Sequence, residues 1–236
     1  MCGRYVIEDY QELSERLVQV PLRYDFQFRP TWNASPSQTL PVLVEDDDAW
    51  AVKGMQWGLV PKWTKPGSKP KVTPINARSE TAAEKPMFKS LLKYRRCIVP
   101  ANGFYEWKRQ DARTKRPFYI HLNGEPLMLL AGLWDEASLE DGPLQSFTIL
   151  TTSANEQMVD LHDRMPVILD PDDAELWLAR DETETGPLES LLRPLPEGKL
   201  DIYEVDRQVN SPRNNDPSNI EPLGDEEEDE PEESDD

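Results

Sequence analysis

The chain is poor in the residues that staple or metallate small proteins. Of its 236 residues only two are cysteine and two are histidine, and a chain of this size buries a core without staples, so a disulfide framework is not expected. The four soft ligands, Cys2, Cys97, His121 and His162, match no zinc ribbon, finger or knuckle spacing, and neither CxxC nor HxxxH occurs. No metal or other cofactor is therefore expected. A glycine-rich phosphate loop is also missing. No apolar run approaches the roughly 20 residues that cross a bilayer, and the opening MCGRYVIEDY carries charges where a signal peptide is apolar. These absences point to a cytoplasmic protein with no membrane partner, and nothing indicates an oligomer, so a monomer is expected. Positive charge is scarce too: 26 Lys and Arg stand against 45 Asp and Glu, for a net charge of -19. On average such a chain repels nucleic acid.

The average hides a strong asymmetry. Residues 53 to 116 hold 16 Lys and Arg against 4 Asp and Glu, a local +12, which leaves -31 for the rest. The C-terminal GDEEEDEPEESDD contributes ten acidic residues without a single aromatic or aliphatic side chain, so it has nothing to pack and is expected to be disordered. An electropositive face on an acidic protein is one reading, and lysines scattered over a solvated surface is the other.

Strand patterns outnumber helical ones. A short strand is expected at Arg4–Ile7, followed by an amphipathic helix marked by Tyr10, Leu13 and Leu17 and ending near Pro21. Residues 22 to 38 read as ordered loop. Leu40–Val44 and Ala49–Leu59 form a pair of strands, the second broken at Trp57-Gly58, and residues 60 to 74 form a long basic loop around Trp63. A helix fits Lys85–Tyr94. β-rich segments follow at Cys97–Val99, Phe104–Lys108, Phe118–Leu122, Leu127–Leu133 and Phe147–Thr152. Ser153 or Asn155 caps a short helix to Leu161, Pro166–Leu169 is a strand, and a helix runs from Asp170 to Ala179. The pattern predicts an α+β fold: one domain over residues 1–222 with a mainly antiparallel, curved, barrel-like sheet and flanking helices, then an acidic tail at 223–236.

Cys2 carries the most distinctive chemistry. Removal of Met1, usual before a small second residue, gives a chain that begins with a 1,2-aminothiol. Its amine titrates near about 8 and its thiol near about 8.5, so each has a nucleophilic fraction at neutral pH. The amine condenses with an aldehyde to an imine, and the thiol closes a five-membered thiazolidine that resists hydrolysis. Taken alone, Cys2 is also compatible with an incidental small residue.

Seven ordered segments narrow the choice: CGRY at the start, NASP at 33–36, WGLVPKW at 57–63, NARSET at 76–81, CIVPANGFYEW at 97–107, HDRMPVIL at 162–169 and VNSPRNND at 209–216. Together they resemble the SOS response-associated peptidase family, the SRAP domain, from Cys2 to about Pro222. The resemblance implies that Cys2 forms a thiazolidine with the ring-opened aldehyde of an abasic site in single-stranded DNA and shields it as a DNA-protein crosslink. It further implies catalytic roles for Asn76, which holds the amine and the lesion sugar, for Glu106, which moves protons during ring opening, and for His162, which assists imine formation and reversal. Arg4 and Arg78 fall on arginines that bind flanking phosphates, Trp63 on a base-stacking platform and Pro36 on a wedge against the base stack.

Each of these residues has an ordinary structural reading as well. Asn76 suits a turn before a helix, Glu106 a solvent face shared with Lys108, His162 a helix end, and Trp63 a loop anchor of the kind expected of Trp57. Two rival activities also remain at this level: a thiol peptidase, acting chiefly on the bond after Met1 or on other proteins, and a non-covalent reader of modified DNA.

Overall fold

In a computed structural model the described residues are 2–8, 21–46, 49–68, 70, 72–111 and 114–224. The helix expected around Tyr10, Leu13 and Leu17 and the acidic run from 225 lie outside them.

The first half of the chain supplies β1 (Tyr5–Ile7), β2 (Leu22–Tyr24), β3 (Thr31–Ala34), β4 (Thr39–Asp46), β5 (Ala49–Trp57) and β6 (Asn76–Arg78). Two short helices follow, α1 (Ser79–Ala82) and α2 (Pro86–Tyr94), the second with Pro at its first position, where the missing N–H costs nothing. Then come β7 (Arg96–Ala101), β8 (Gly103–Arg109), β9 (Lys115–Leu122), β10 (Met128–Leu139), β11 (Gly142–Ser153), β12 (Arg164–Pro166) and β13 (Ile168–Leu169). The described chain closes with α3 (Pro171–Leu178), α4 (Thr185–Leu191) and β14 (Leu200–Glu204). The fold is a single mixed α+β domain. None of the described helices is long and apolar enough to cross a membrane.

The larger sheet closes on itself. Strands β11, β10, β7, β4 and β5 pair in that order, and β5 pairs back to β11 in parallel through Gln56 and Trp57, which makes a five-strand barrel. Closure removes the free edges that these apolar strands expose as an open sheet. The second sheet, β14-β9-β8-β1-β3, is antiparallel throughout and packs beside the barrel. Gly58, at φ +119, ends β5 in a conformation that L side chains rarely adopt. Immediately before it, Trp57 is fully buried, donates its indole N–H to the Ile75 carbonyl at 3.0 Å, stacks on Phe147 and meets the tilted ring of Tyr5. It is a core anchor, as expected.

The barrel also holds a buried cation without a buried carboxylate. Arg96 is 6% exposed and donates to the carbonyls of Leu92, Lys93, Trp177, Ala179 and Glu182. Those carbonyls lie at or just beyond the C-terminal ends of α2 and α3, where backbone acceptors lack intrahelical partners. One guanidinium thus caps two helices and fastens both to the barrel.

Three expectations need correction. Residues 22–38 are not all loop, because β2 finds a parallel partner in β5 and β3 an antiparallel one in β1; pairing at a distance organised a stretch whose local composition favours turns. Pro166–Leu169 is two strands rather than one: the chain crosses from β11 to β10 at Val167, so that β12 pairs β11 and β13 pairs β10. Residues 154–161 form hydrogen-bonded turns and no regular helix. Asn155 does cap the first of them, accepting the Met158 N–H at 3.1 Å.

Candidate functional site

Strand register brings Cys2 to Glu106. Tyr5 pairs Phe104 and Val6 pairs Gly103, and the ladder continues through the Tyr105 N–H to the Arg4 carbonyl at 3.0 Å. Two residues nearer the chain start, Cys2 therefore lies alongside the Glu106–Trp107 segment of β8. Cys2 is fully buried and its Sγ donates weakly to the Arg4 carbonyl at 3.9 Å. Burial pushes the thiol well above its usual range, and the nearby Glu106 charge pushes it further. Glu106 is 4% exposed, whereas Lys108, two residues on, is exposed. A solvent face shared by these two is thereby ruled out.

Asn76 arrives from the barrel. β6 runs parallel to β11, with Asn76 beside Ile149 and Arg78 beside Thr151. Strand alternation buries Ala77 and turns Asn76 and Arg78 to the other side. The Asn76 amide donates from Nδ2 to the Cys2 carbonyl at 2.9 Å. Its Oδ1 is buried and accepts no hydrogen bond among the described residues, an arrangement that is costly unless a donor arrives. Asn76 and Arg78 line a pocket of about 610 Å³ together with Trp63, Lys85, Met87 and Phe88. Trp63 is 55% exposed, so it does not anchor its loop.

A second pocket, of about 630 Å³, opens beside Cys2 and is lined by Gly3, Arg4, Trp107, Lys115, Arg207 and Asn210 among others. Arg4 lies over the Trp107 ring at 5.9 Å, and the Trp107 indole donates to Asn210 Oδ1 at 2.6 Å. Arg4 is also a structural clamp. Its guanidinium donates to Asn33 Oδ1 at 2.7 Å and to the carbonyls of Val209 and Asn210 at 3.1 and 3.3 Å. Asn33 is nearly fully buried, and its Nδ2 lies 2.7–3.1 Å from the carbonyls of Val209, Ser211 and Asn214. The CGRY, NASP and VNSPRNND segments are thus one knot. Asn33 was not singled out from sequence, although it opens NASP.

Pro36 is exposed at the tip of the β3–β4 turn, followed by Ser37 at φ +73, the arrangement of a type II turn. Because Ala34 pairs Tyr5, this turn lies alongside the residues that precede Tyr5. His162 is not among the described residues that line either pocket. It sits just before β12, half-buried, its Nδ1 3.0 Å from the Arg164 N–H and 2.8 Å from Asp163 Oδ1. Nδ1 accepts from the Arg164 N–H, which leaves the ring proton on Nε2. Arg164 makes two bonds to Glu80 at 2.6 and 2.8 Å and one to the Thr151 carbonyl at 2.5 Å, which ties β12 and α1 across β11. The hydrogen bonds of Arg164 hold the Glu80 carboxyl below its usual range. This pair was also overlooked in the sequence, where Arg164 lies inside HDRMPVIL and Glu80 inside NARSET.

Cys2, Asn76 and Glu106 therefore form one cluster, flanked by two tryptophan-bearing, cationic pockets with no carboxylate among the described residues that line them. Against known proteins, a family model described as SOS response associated peptidase (SRAP) matches residues 1–212. The chain belongs to the SRAP family. Among SRAP relatives it is 40% identical over 223 residues to the abasic site processing protein YoqW of Bacillus subtilis, covering 94% of this chain and 99% of that one. It is 30% identical over 229 residues to the abasic site processing protein YedK of Escherichia coli, covering 94% of this chain and all of the relative. A solved structure of a protein from Bacteroides thetaiotaomicron superposes with a TM-score of 0.83 at 26% identity, covering 94% of this chain and all of the other.

Proposed function

We propose that this protein processes abasic sites in single-stranded DNA in the DNA damage response, capturing the lesion covalently on Cys2. The observation that carries the reading is the buried Asn76 amide: one end holds the Cys2 backbone at 2.9 Å, while the other is a buried acceptor with no donor among the described residues, on a side chain that lines one of the two cationic pockets. A strand laid across the cluster meets Trp63 and Arg78 on one side and Trp107, Arg4, Lys115 and Arg207 on the other. These are stacking faces and phosphate partners of the kind that unpaired nucleotides use. A continuous duplex hides its base faces, so single strands fit better.

The chemistry begins with hydrolysis of the Met1–Cys2 bond, water supplying the hydroxyl to the methionine carboxyl and a proton to the new amine. The amine of Cys2 adds to the aldehyde carbon of the ring-opened sugar, and loss of water leaves an imine. The thiol then adds across the C=N bond, its sulfur to carbon and its proton to nitrogen, and the ring closes. The capture itself releases one water, which balances the one consumed in removing Met1, and no oxidation state changes. Because burial keeps the sulfur protonated, this last proton needs a carrier, and the Glu106 carboxylate is adjacent. His162 Nε2 serves the same purpose when water leaves the carbinolamine.

Incubation with a single-stranded oligonucleotide containing one abasic site, then denaturing electrophoresis, tests the reading. A covalent band is expected from the native protein, none from Cys2→Ala, and a slower band from Glu106→Gln. A native protein that retains the oligonucleotide only under non-denaturing conditions is a reader and contradicts it.

A further inference from the structure

The far end of the five-stranded sheet carries a different pocket. About 390 Å³ in volume, it is lined by Glu8, Asn102, Tyr119, His121, Glu125 and Tyr203 among others, with no lysine or arginine among the described residues that line it. Three rings meet there: Tyr119 lies 5.5 Å from His121 and 5.8 Å from Tyr203, and His121 meets Tyr203 edge-on at 5.7 Å. Gly103 makes the arrangement possible, since a Cβ at that position falls 2.5 Å from both Cζ and Oη of Tyr119. A side chain there displaces the tyrosine from the pocket.

Most of the pocket's hydrogen-bonding groups are acceptors. His121 Nδ1 lies 3.0 Å from the Leu122 carbonyl, which makes it a donor and leaves Nε2 of the neutral ring as an acceptor. Asn102 is spent, Oδ1 on the Glu8 N–H and Nδ2 on the Pro126 carbonyl. The neighbouring tyrosines are spent as well, Tyr105 on the Trp32 carbonyl and Tyr203 on the Ile220 carbonyl. Tyr119 is the exception. It is 4% exposed, and its hydroxyl reaches solvent at the pocket with no acceptor among the described residues. The pocket thus offers ring faces and the Glu8 carboxylate to a positively charged donor.

We propose that this pocket binds an organic cation, an alkylammonium or guanidinium head group seated against Tyr119, His121 and Tyr203 and paired with Glu8. The volume lies near the lower end of small-molecule sites, which suits a head group or a short diamine better than a large ligand. The cation comes either as a free amine or as a lysine or arginine side chain of a polypeptide.

The test titrates the full chain with putrescine, with methylguanidinium, with a capped Gly-Lys-Gly peptide and with sodium chloride at matched ionic strength. Backbone amide shifts of Tyr119, His121 and Tyr203 are followed by NMR. Saturable shifts with the organic cations but not with salt are expected. Weakening by about fivefold is expected in Glu8→Gln and in Tyr203→Leu, and by a similar factor in Tyr119→Phe, which deletes only the uncommitted oxygen and so keeps the fold. Tighter binding of the peptide assigns the cation to a polypeptide side chain, and tighter binding of putrescine to a free amine. Shifts that track ionic strength alone, or saturable binding unmoved by all three substitutions, overturn the proposal.

Discussion

The two ends of the β8–β9 hairpin sit on one sheet and present opposite chemistry. At one end Trp107 pairs Pro117, Lys108 pairs Arg116 and Arg109 pairs Lys115, next to the pocket that holds Arg4 and Arg207. At the other end Gly103 pairs His121, between Glu8 and Glu125. Both ends are built on aromatic rings, so aromatic content does not distinguish them; the sign of the surrounding charge does. A net charge of -19 therefore says little about what either end binds. In a chain like this one, ligand sign is decided over about 10 Å, roughly the screening length at physiological salt.

The comparison can be broken at one end and checked at the other. The largest effect is expected from Asn33→Ala, which strands three backbone carbonyls and releases Arg4. A loss of roughly 3 kcal/mol in chemical denaturation is expected, with DNA binding weakened and the amide spectrum around Tyr119 little changed. Trp63→Ala removes an exposed stacking face and is expected to weaken single-stranded DNA binding by about 1–3 kcal/mol in a fluorescence titration. Lys115→Gln and Arg207→Gln, at the second cationic pocket, are each expected to flatten the log–log salt dependence of binding by about one unit, uniformly across sequences.

The smallest effect concerns pH. Arg164 holds the Glu80 carboxyl below its ordinary value, so the bond adds stability that is fully present above that ordinary value and fades as the pH falls through the lower folded one. With the Glu80 side chain 49% exposed, solvent screening holds this to under about 1 kcal/mol. Glu80→Gln is expected to flatten the acid limb of the Tm–pH curve and to leave the alkaline side unchanged.

Much of the architecture was legible because its signals are local. The β4–β5 pair, the end of β5 at Trp57-Gly58, the basic loop holding Trp63 and the helix before Tyr94 all follow from alternation, turn residues and helical spacing. β2, β3 and β6 were not legible, since each is a short strand defined by its partner rather than by its composition. The site divides along the same line. Cys2 stood out through chemistry written in the sequence itself, and the resemblance singled out Asn76 and Glu106. Asn33 and the Arg164–Glu80 pair were missed, because their importance lies in carbonyls and side chains that folding brings from 84 to 181 positions away. The acidic end of the hairpin escaped notice for the same reason: Glu8, Tyr119 and Tyr203 are far apart until β1, β8, β9 and β14 pair.

The most direct trial of the account is the mass of the N-terminal peptide after the protein has met abasic single-stranded DNA and been denatured and digested. We expect a peptide that begins at Cys2, lacks Met1, and carries the sugar remnant with the loss of one water. A peptide that still carries Met1, or an unmodified Cys2 beside a remnant attached to another residue, contradicts the account.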